Sequence, residues 1–203
     1  MNMTDFDKYI IQSEPEKSEK ARIWQTAIGL QDVDGLKPSE YLIRTAEKHI
    51  EGDITIAEVK SLIDSYYESK GVRKEVETEG TEEADKVAAR ITEILSERAF
   101  SFTPDFLVKI HQRLFSGVYE HAGMIRQNNI SKKEWVLDGD TVIYSGYDMI
   151  RQTLEYDFSQ EQGTDYPSMS ADEAIKRVCR FVSGIWQIHP FSEGNTRTTA
   201  VFA

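Results

Sequence analysis

His189-Pro190-Phe191-Ser192-Glu193-Gly194-Asn195-Thr196-Arg197 forms a short turn between two segments that read as helices. Its second helix is expected to begin near Asn195, so the first amides of that helix face the same point as Arg197. His189 is the side chain in this run that can take a proton near pH 7, which makes it the candidate general base. Pro190 stiffens the loop and Phe191 anchors it in a core. Glu193 offers oxygens suited to a hard cation such as Mg²⁺, which commonly bridges phosphates instead of filling a protein cage. Gly194 lets main-chain N–H groups approach an anion closely. Asn195 and Arg197 add directed donors, and a guanidinium favours forked contact with phosphate oxygens. These types at this spacing imply in-line attack of a hydroxyl on a phosphate, with a metal and dipoles carrying the charge. No Gly-Lys-Ser/Thr follows, which argues against a phosphate-loop ATPase. No second His or Cys stands at zinc-ligand spacing.

The helix that delivers His189 opens at a capping box, Ser170 to Glu173, and runs to about Gln187. Ile175, Val178, Val182 and Ile185 or Trp186 are expected on its buried side. Cys179, the single cysteine of the chain, is expected to be buried there too, as packing in a reducing cytosol. About 45 residues before His189, Glu134-Trp135-Val136-Leu137-Asp138-Gly139-Asp140-Thr141-Val142-Ile143-Tyr144 carries β-formers on both sides of Asp-Gly. That pattern signals a hairpin. Thr103-Pro104 opens a helix with Phe106, Leu107, Ile110 and Leu114 inward. Thr81 is placed to cap another, to about Arg98, with Val87, Ile91, Ile94 and Leu95 inward.

Residues 74–86 are acidic and poor in large apolar groups, and read as a solvated linker. Residues 1–73 then form an N-terminal helical module and residues 87–203 a core. Three helices are expected in the module, over about 20–30, 38–50 and 56–70. The third has capping-box spacing at Thr55 and Glu58 and a stop at Gly71.

Composition sets outer bounds. The chain has 203 residues, 39% hydrophobic and 10% aromatic, enough for one ordinary domain and a small appendage. The net charge of −11 argues against a nucleic-acid partner. No apolar stretch reaches the length of a membrane span, and the N-terminus lacks a signal-peptide pattern, so a cytoplasmic protein is expected.

The run from His189 to Arg197 closely resembles the Fic family signature, His-Pro-Phe-x-Asp/Glu-Gly-Asn-x-Arg. The resemblance implies a mainly all-α fold, a Fic-like helical bundle with one β-hairpin flap, here with a small N-terminal helical module. It implies a protein nucleotidyltransferase that moves AMP from ATP, or another nucleotide from its triphosphate, to a Ser, Thr or Tyr hydroxyl of a target protein. By position, His189 resembles the base that deprotonates the target, and Glu193 the Mg²⁺ ligand. Gly194, Asn195, Thr196 and Arg197 line the phosphate site. The flap, with Val136, Leu137, Thr141, Val142 and Ile143, resembles the hairpin that pins a target strand by main-chain pairing. Lys132, Lys133 or Tyr144 is expected near the nucleotide. The stretch from Ala122-Gly123-Met124-Ile125-Arg126 through Asn129-Ile130-Ser131-Lys132 is similar to the family's segment before the flap.

Two positions depart from the pattern: Thr196 stands where the family often has Gly, and Ala200 where it often has a second Arg that contacts the γ-phosphate. The N-terminal module is similar to the small antitoxins that accompany some bacterial Fic toxins. Their inhibitory helix carries Ser/Thr-x-x-x-Glu-Gly/Asn. Here the corresponding stretch, Leu30-Gln31-Asp32-Val33-Asp34-Gly35, lacks both the hydroxyl and the Glu, so the module is expected to be mainly structural or to regulate by another contact. Family members continue past the motif helix, so the chain reads as truncated at Ala203. Members often pair, and a homodimer is compatible with the resemblance. Two non-enzymatic readings stay open: a nucleotide-binding regulator and a protein-interaction module on the same scaffold.

Overall fold

The computed structural model describes residues 6–12, 14–69, 76–133 and 141–203. The described residues are mainly helical, and the chain divides into two compact units, residues 1–99 and 100–203. The mainly all-α architecture is as the resemblance implies.

The first unit holds α1 (Asp7–Gln12), α2 (Pro15–Gly29), α3 (Glu40–Glu51), α4 (Ile56–Ser69) and α5 (Val76–Ser96), with a 3-10 turn at Asp32–Asp34 between α2 and α3. Local chemistry sets the boundaries. Ser39 caps α3 by accepting the Leu42 N–H, and Gly52 ends it at φ 90°. At the start of α4 the Glu58 carboxylate accepts the Thr55 N–H at 2.7 Å while Thr55 Oγ1 accepts the Glu58 N–H at 3.3 Å, the expected capping box. Helix α2 lies against α1, α3 and α5, and α4 packs on α5. Trp24, Leu42, Ile50, Val59, Val87 and Ile91 form the buried centre. Burying each aliphatic side chain of that size contributes about 1.5–3 kcal/mol. The Trp24 indole N–H donates to His49 Nδ1 at 3.0 Å, and burial pushes the His49 imidazole below its usual range.

The linker expected at residues 74–86 is a correction. From Val76 onward the run is helix α5 and belongs to the first unit; the units divide between Ala99 and Phe100. Composition misled because the acidic residues share a helix with an apolar stripe: Ala84, Val87, Ala88 and Ile91 recur at helical spacing and are buried. One of the acids is itself internal. Asp85 is fully buried and accepts from the Ser39 N–H at 2.8 Å, the Ser39 hydroxyl at 2.5 Å and the Tyr67 hydroxyl at 2.7 Å. It thereby ties the start of α3 and the end of α4 to α5. Replacing Asp85 by Ala strands these donors, and chemical denaturation of the chain is expected to show a loss of roughly 3 kcal/mol in this unit. Asp85→Asn recovers only part of it, because an amide presents one acceptor oxygen where the carboxylate presents two.

The second unit holds α6 (Pro104–Phe115), strands β1 (Ser131–Lys133) and β2 (Thr141–Ile143), α7 (Ile150–Gln162), α8 (Ala171–Ile188) and α9 (Asn195–Phe202). The strands pair antiparallel, Ser131 opposite Ile143, Lys132 opposite Val142 and Lys133 opposite Thr141. Val136, Leu137 and the Asp-Gly turn of the expected flap lie outside the described residues. Helix α9 packs on α6 and α8, and α7 joins α8 to α6. The core between them includes Leu107, Ile110, Leu114, Phe115, Leu154, Phe158, Ile185 and Phe191.

Helix α8 has the Ser170–Glu173 capping box the sequence predicts. Its buried face is shorter than expected. Ile175 is 60% exposed, Val178 42%, and Cys179 is exposed as well, while burial along the helix is confined to Ile185 and Ile188. The apolar stripe is real, but only the last turns of the helix are covered within this unit. Val178 and Val182 instead line an apolar groove with Phe102, Phe181 and Phe202.

Candidate active site

The motif is a reversal between α8 and α9, and every turn of its backbone has an identifiable cause. His189 ends α8 in the left-handed conformation, φ 52° and ψ 63°, with its N–H still bonded to Ile185 O. A β-carbon makes that conformation costly for any residue but glycine, so surrounding contacts must hold it. Arg126 supplies them. Its Nε donates to the His189 carbonyl at 2.8 Å and its backbone N–H to the Pro190 carbonyl at 3.0 Å. The same guanidinium donates to Asn128 O at 2.7 Å and Ser145 O at 2.6 Å, just outside the two strands. Arg126 is buried, 3% exposed, and bonded to carbonyls throughout, so it joins the base of the hairpin to the motif.

Asn195 closes the loop. Its Oδ1 accepts the Phe191 N–H at 2.9 Å and its Nδ2 donates to the Phe191 carbonyl at 2.7 Å. A tight reversal leaves these backbone groups without a ladder partner, and the side-chain amide satisfies both. The sequence reading made Asn195 a donor to an anion; the structure engages both ends of its side-chain amide in the loop.

Gly194 precedes α9 at φ 73°. A β-carbon there would sit 2.5 Å from Cζ of Phe115, so the ring closes the space a side chain needs. The first helical bond of α9 runs from the Thr198 N–H to the Gly194 carbonyl at 3.0 Å. The amides of residues 195–197 therefore lie ahead of the helix's own ladder, where the helix dipole is positive. Arg197, three residues in, is 1% exposed; it donates to the Tyr119 hydroxyl at 3.0 Å, and its guanidinium carbon lies 4.9 Å from the Phe115 ring centre. Thr196 Oγ1 accepts the Trp186 indole N–H at 3.0 Å, which uses the hydroxyl that replaces the expected glycine.

His189 is buried, 4% exposed. It stacks on Tyr144 at 4.1 Å and meets the Trp186 ring edge-on at 6.1 Å. Tyr144 follows β2 directly, so the hairpin and the motif share a contact at the imidazole. Glu193 is exposed. Among the described residues no group of three His, Cys, Asp or Glu forms a metal cage. A single exposed carboxylate suits a Mg²⁺ that takes its remaining ligands from phosphate and water.

The structure thus brings His189, Glu193, Gly194, Asn195, Thr196 and Arg197 into one reversal, from the end of α8 to the first turn of α9, with Tyr144 against His189. Of the hairpin residues, Ile143 is 88% exposed and Val142 half-buried, while nothing is described for the side chain of Thr141 or for those of Lys132 and Lys133.

The Fic/DOC family model matches residues 101–203, half of the chain and nearly all of the second unit. The chain belongs to the Fic/DOC family. The Fic/DOC chain is also 35% identical over 101 residues to protein adenylyltransferase VbhT of Bartonella schoenbuchensis. That alignment covers 50% of this chain and 20% of the relative, so the chain spans about a fifth of the length of the curated protein it matches.

Sequence reading overlooked three side chains that pack against the motif: His111, Phe115 and Tyr119. They lie on or just after α6, far from the motif in sequence. The one signal for them was the inward stripe of α6, which continues from Ile110 and Leu114 to its last residue.

Proposed function

We propose that the chain is a protein nucleotidyltransferase that moves the nucleoside monophosphate of a nucleotide triphosphate, AMP of ATP first, to a hydroxyl side chain of a target protein. The observation that carries this reading is the conformation of His189. Its backbone is held left-handed by Arg126 and its ring between Tyr144 and Trp186, beside the start of α9. An imidazole clamped in this way is preorganised for one proton transfer. The 35% identical protein adenylyltransferase supports the choice of reaction.

In this mechanism the target hydroxyl loses its proton to His189 as its oxygen bonds to the α-phosphorus. The bond from that phosphorus to the bridging oxygen of the β-phosphate breaks, and pyrophosphate leaves. The amides at the start of α9 would donate to the phosphates, and the Arg197 guanidinium, held by Tyr119 and the Phe115 ring, would add positive charge beside them. Glu193 would hold Mg²⁺, which supplies charge neutralisation on the phosphates when bound. The exposed hairpin, with Ile143 outward, offers main-chain groups to an extended target segment.

Incubation with α-labelled ATP, CTP, GTP and UTP, with lysate protein as acceptor, tests the reading. Label is expected on protein, and His189→Ala should lower it at least about 100-fold, the usual worth of a positioned general base. Saturable nucleotide binding without label would make the chain a regulator. Neither binding nor label would leave an interaction module.

A further inference from the structure

His111, which the reaction scheme does not use, sits directly beneath the motif. It lies near the end of α6 and is fully buried. Its Nδ1 accepts the Gly123 N–H at 2.8 Å, and its Nε2 lies 3.1 Å from the Glu193 carbonyl oxygen. The two partners fix the tautomer. A backbone N–H can only donate and a carbonyl can only accept, so the ring's proton belongs on Nε2 and Nδ1 is bare. The ring face stacks on Phe191 at 3.8 Å, with 10° between the planes. His111 therefore grips the motif twice, through the ring of Phe191 and the carbonyl of Glu193. Gly123 in turn stands at φ 77°, and a β-carbon there would be 2.7 Å from Gln112 Cβ, so its N–H is aimed at the ring by tight local packing.

We propose that His111 is a positioning residue whose Nε2–H bond to the Glu193 carbonyl fixes the backbone from which the Glu193 carboxylate reaches the metal. The inference rests on the reading of Glu193 as the Mg²⁺ ligand. A ligand's orientation is set by what holds the residue bearing it, and loss of such a partner typically costs about 10–100-fold in metal affinity or activity. Here that partner acts on the main chain, one residue before the glycine that opens α9.

The test uses the full chain and a pair of variants of similar size. In His111→Gln the new side-chain amide places a donor near the position of Nε2. In His111→Asn the shorter amide places an acceptor near the position of Nδ1 and falls short of Glu193. The readout is the Mg²⁺ concentration that half-saturates binding of a fluorescent ATP analogue. It is expected to rise about 10-fold or more in His111→Asn and to stay within about 3-fold of the parent in His111→Gln. Nitrogen-15 spectra of the imidazoles should show His111 of the parent chain with its proton on Nε2. Equal Mg²⁺ dependence in parent and His111→Asn, or a proton on Nδ1, overturns the proposal. So does ATP binding by the parent that ignores Mg²⁺. If His111→Asn does not fold, the tautomer and the His111→Gln titration decide. Mg²⁺-dependent binding that follows this pattern without any protein labelling would retain the His111 assignment and remove the transferase reading. Labelling by a His111→Asn chain with unaltered Mg²⁺ dependence would do the reverse.

Discussion

Gly194→Ala should lower nucleotide transfer about 100-fold, because displacements on the scale of 1 Å at a reacting centre cost that much. Two physical terms act at this position. The residue stands at φ 73°, where a β-carbon costs about 1–2 kcal/mol. Separately, that β-carbon would lie 2.5 Å from Cζ of Phe115, so the ring or the loop must move. Neither movement is harmless. Phe115 is fully buried and lies under the Arg197 guanidinium, while the loop carries Glu193 on one side and the opening amides of α9 on the other. The two terms can be separated. Adding Phe115→Ala to Gly194→Ala removes the collision and leaves the backbone strain. Thermal unfolding of the double variant should therefore show less than the sum of the single losses. Additive losses would mean that the ring does not limit this site.

Arg126→Met should unfold the second unit more readily by roughly 3–5 kcal/mol and abolish labelling, since buried carbonyls that lose a charged donor are left unsatisfied. The His189, Asn128 and Ser145 carbonyls all accept from this one guanidinium. Arg126→Lys keeps the charge but offers a compact ammonium in place of a planar fork, and it cannot span three carbonyls at once. It should recover little. Urea denaturation reads the stability. In whatever folded protein remains, the labelling rate reads the left-handed backbone of His189. An Arg126→Lys chain with parental stability and labelling would show that these contacts are incidental.

Much of the second unit was legible in the sequence because its signals are local. Thr103 and Ser170 cap α6 and α8 as their spacing predicts. Gly194 opens α9 because no other residue fits a left-handed position there. The hairpin was expected within residues 134–144; of that stretch the second strand, Thr141–Ile143, is found, and it pairs with Ser131–Lys133, just before the expected first strand. Other readings failed where composition stood in for packing. Charge made residues 74–86 look solvated, yet α5 begins at Val76 and Asp85 is enclosed by Ser39 and Tyr67. The period of α8 foretold an apolar face but not how far its neighbours extend, and Ile175, Val178 and Cys179 are exposed in consequence. Helices α1 and α7 escaped notice. The first is six residues long, and the second starts after Met149 without a side-chain cap.

The sequence alone determined the chemistry of the site, because a base, a carboxylate, a glycine and a guanidinium within nine residues can only be neighbours. Tertiary structure decided what holds them. Arg126 lies 63 residues from the carbonyl it grips and His111 lies 82 from its own, and no periodicity or spacing rule reaches across such distances. Local conformation follows from which dihedral angles and short hydrogen bonds a few adjacent residues permit. The partners that fix a buried loop depend on how whole helices pack, which no nine-residue stretch encodes.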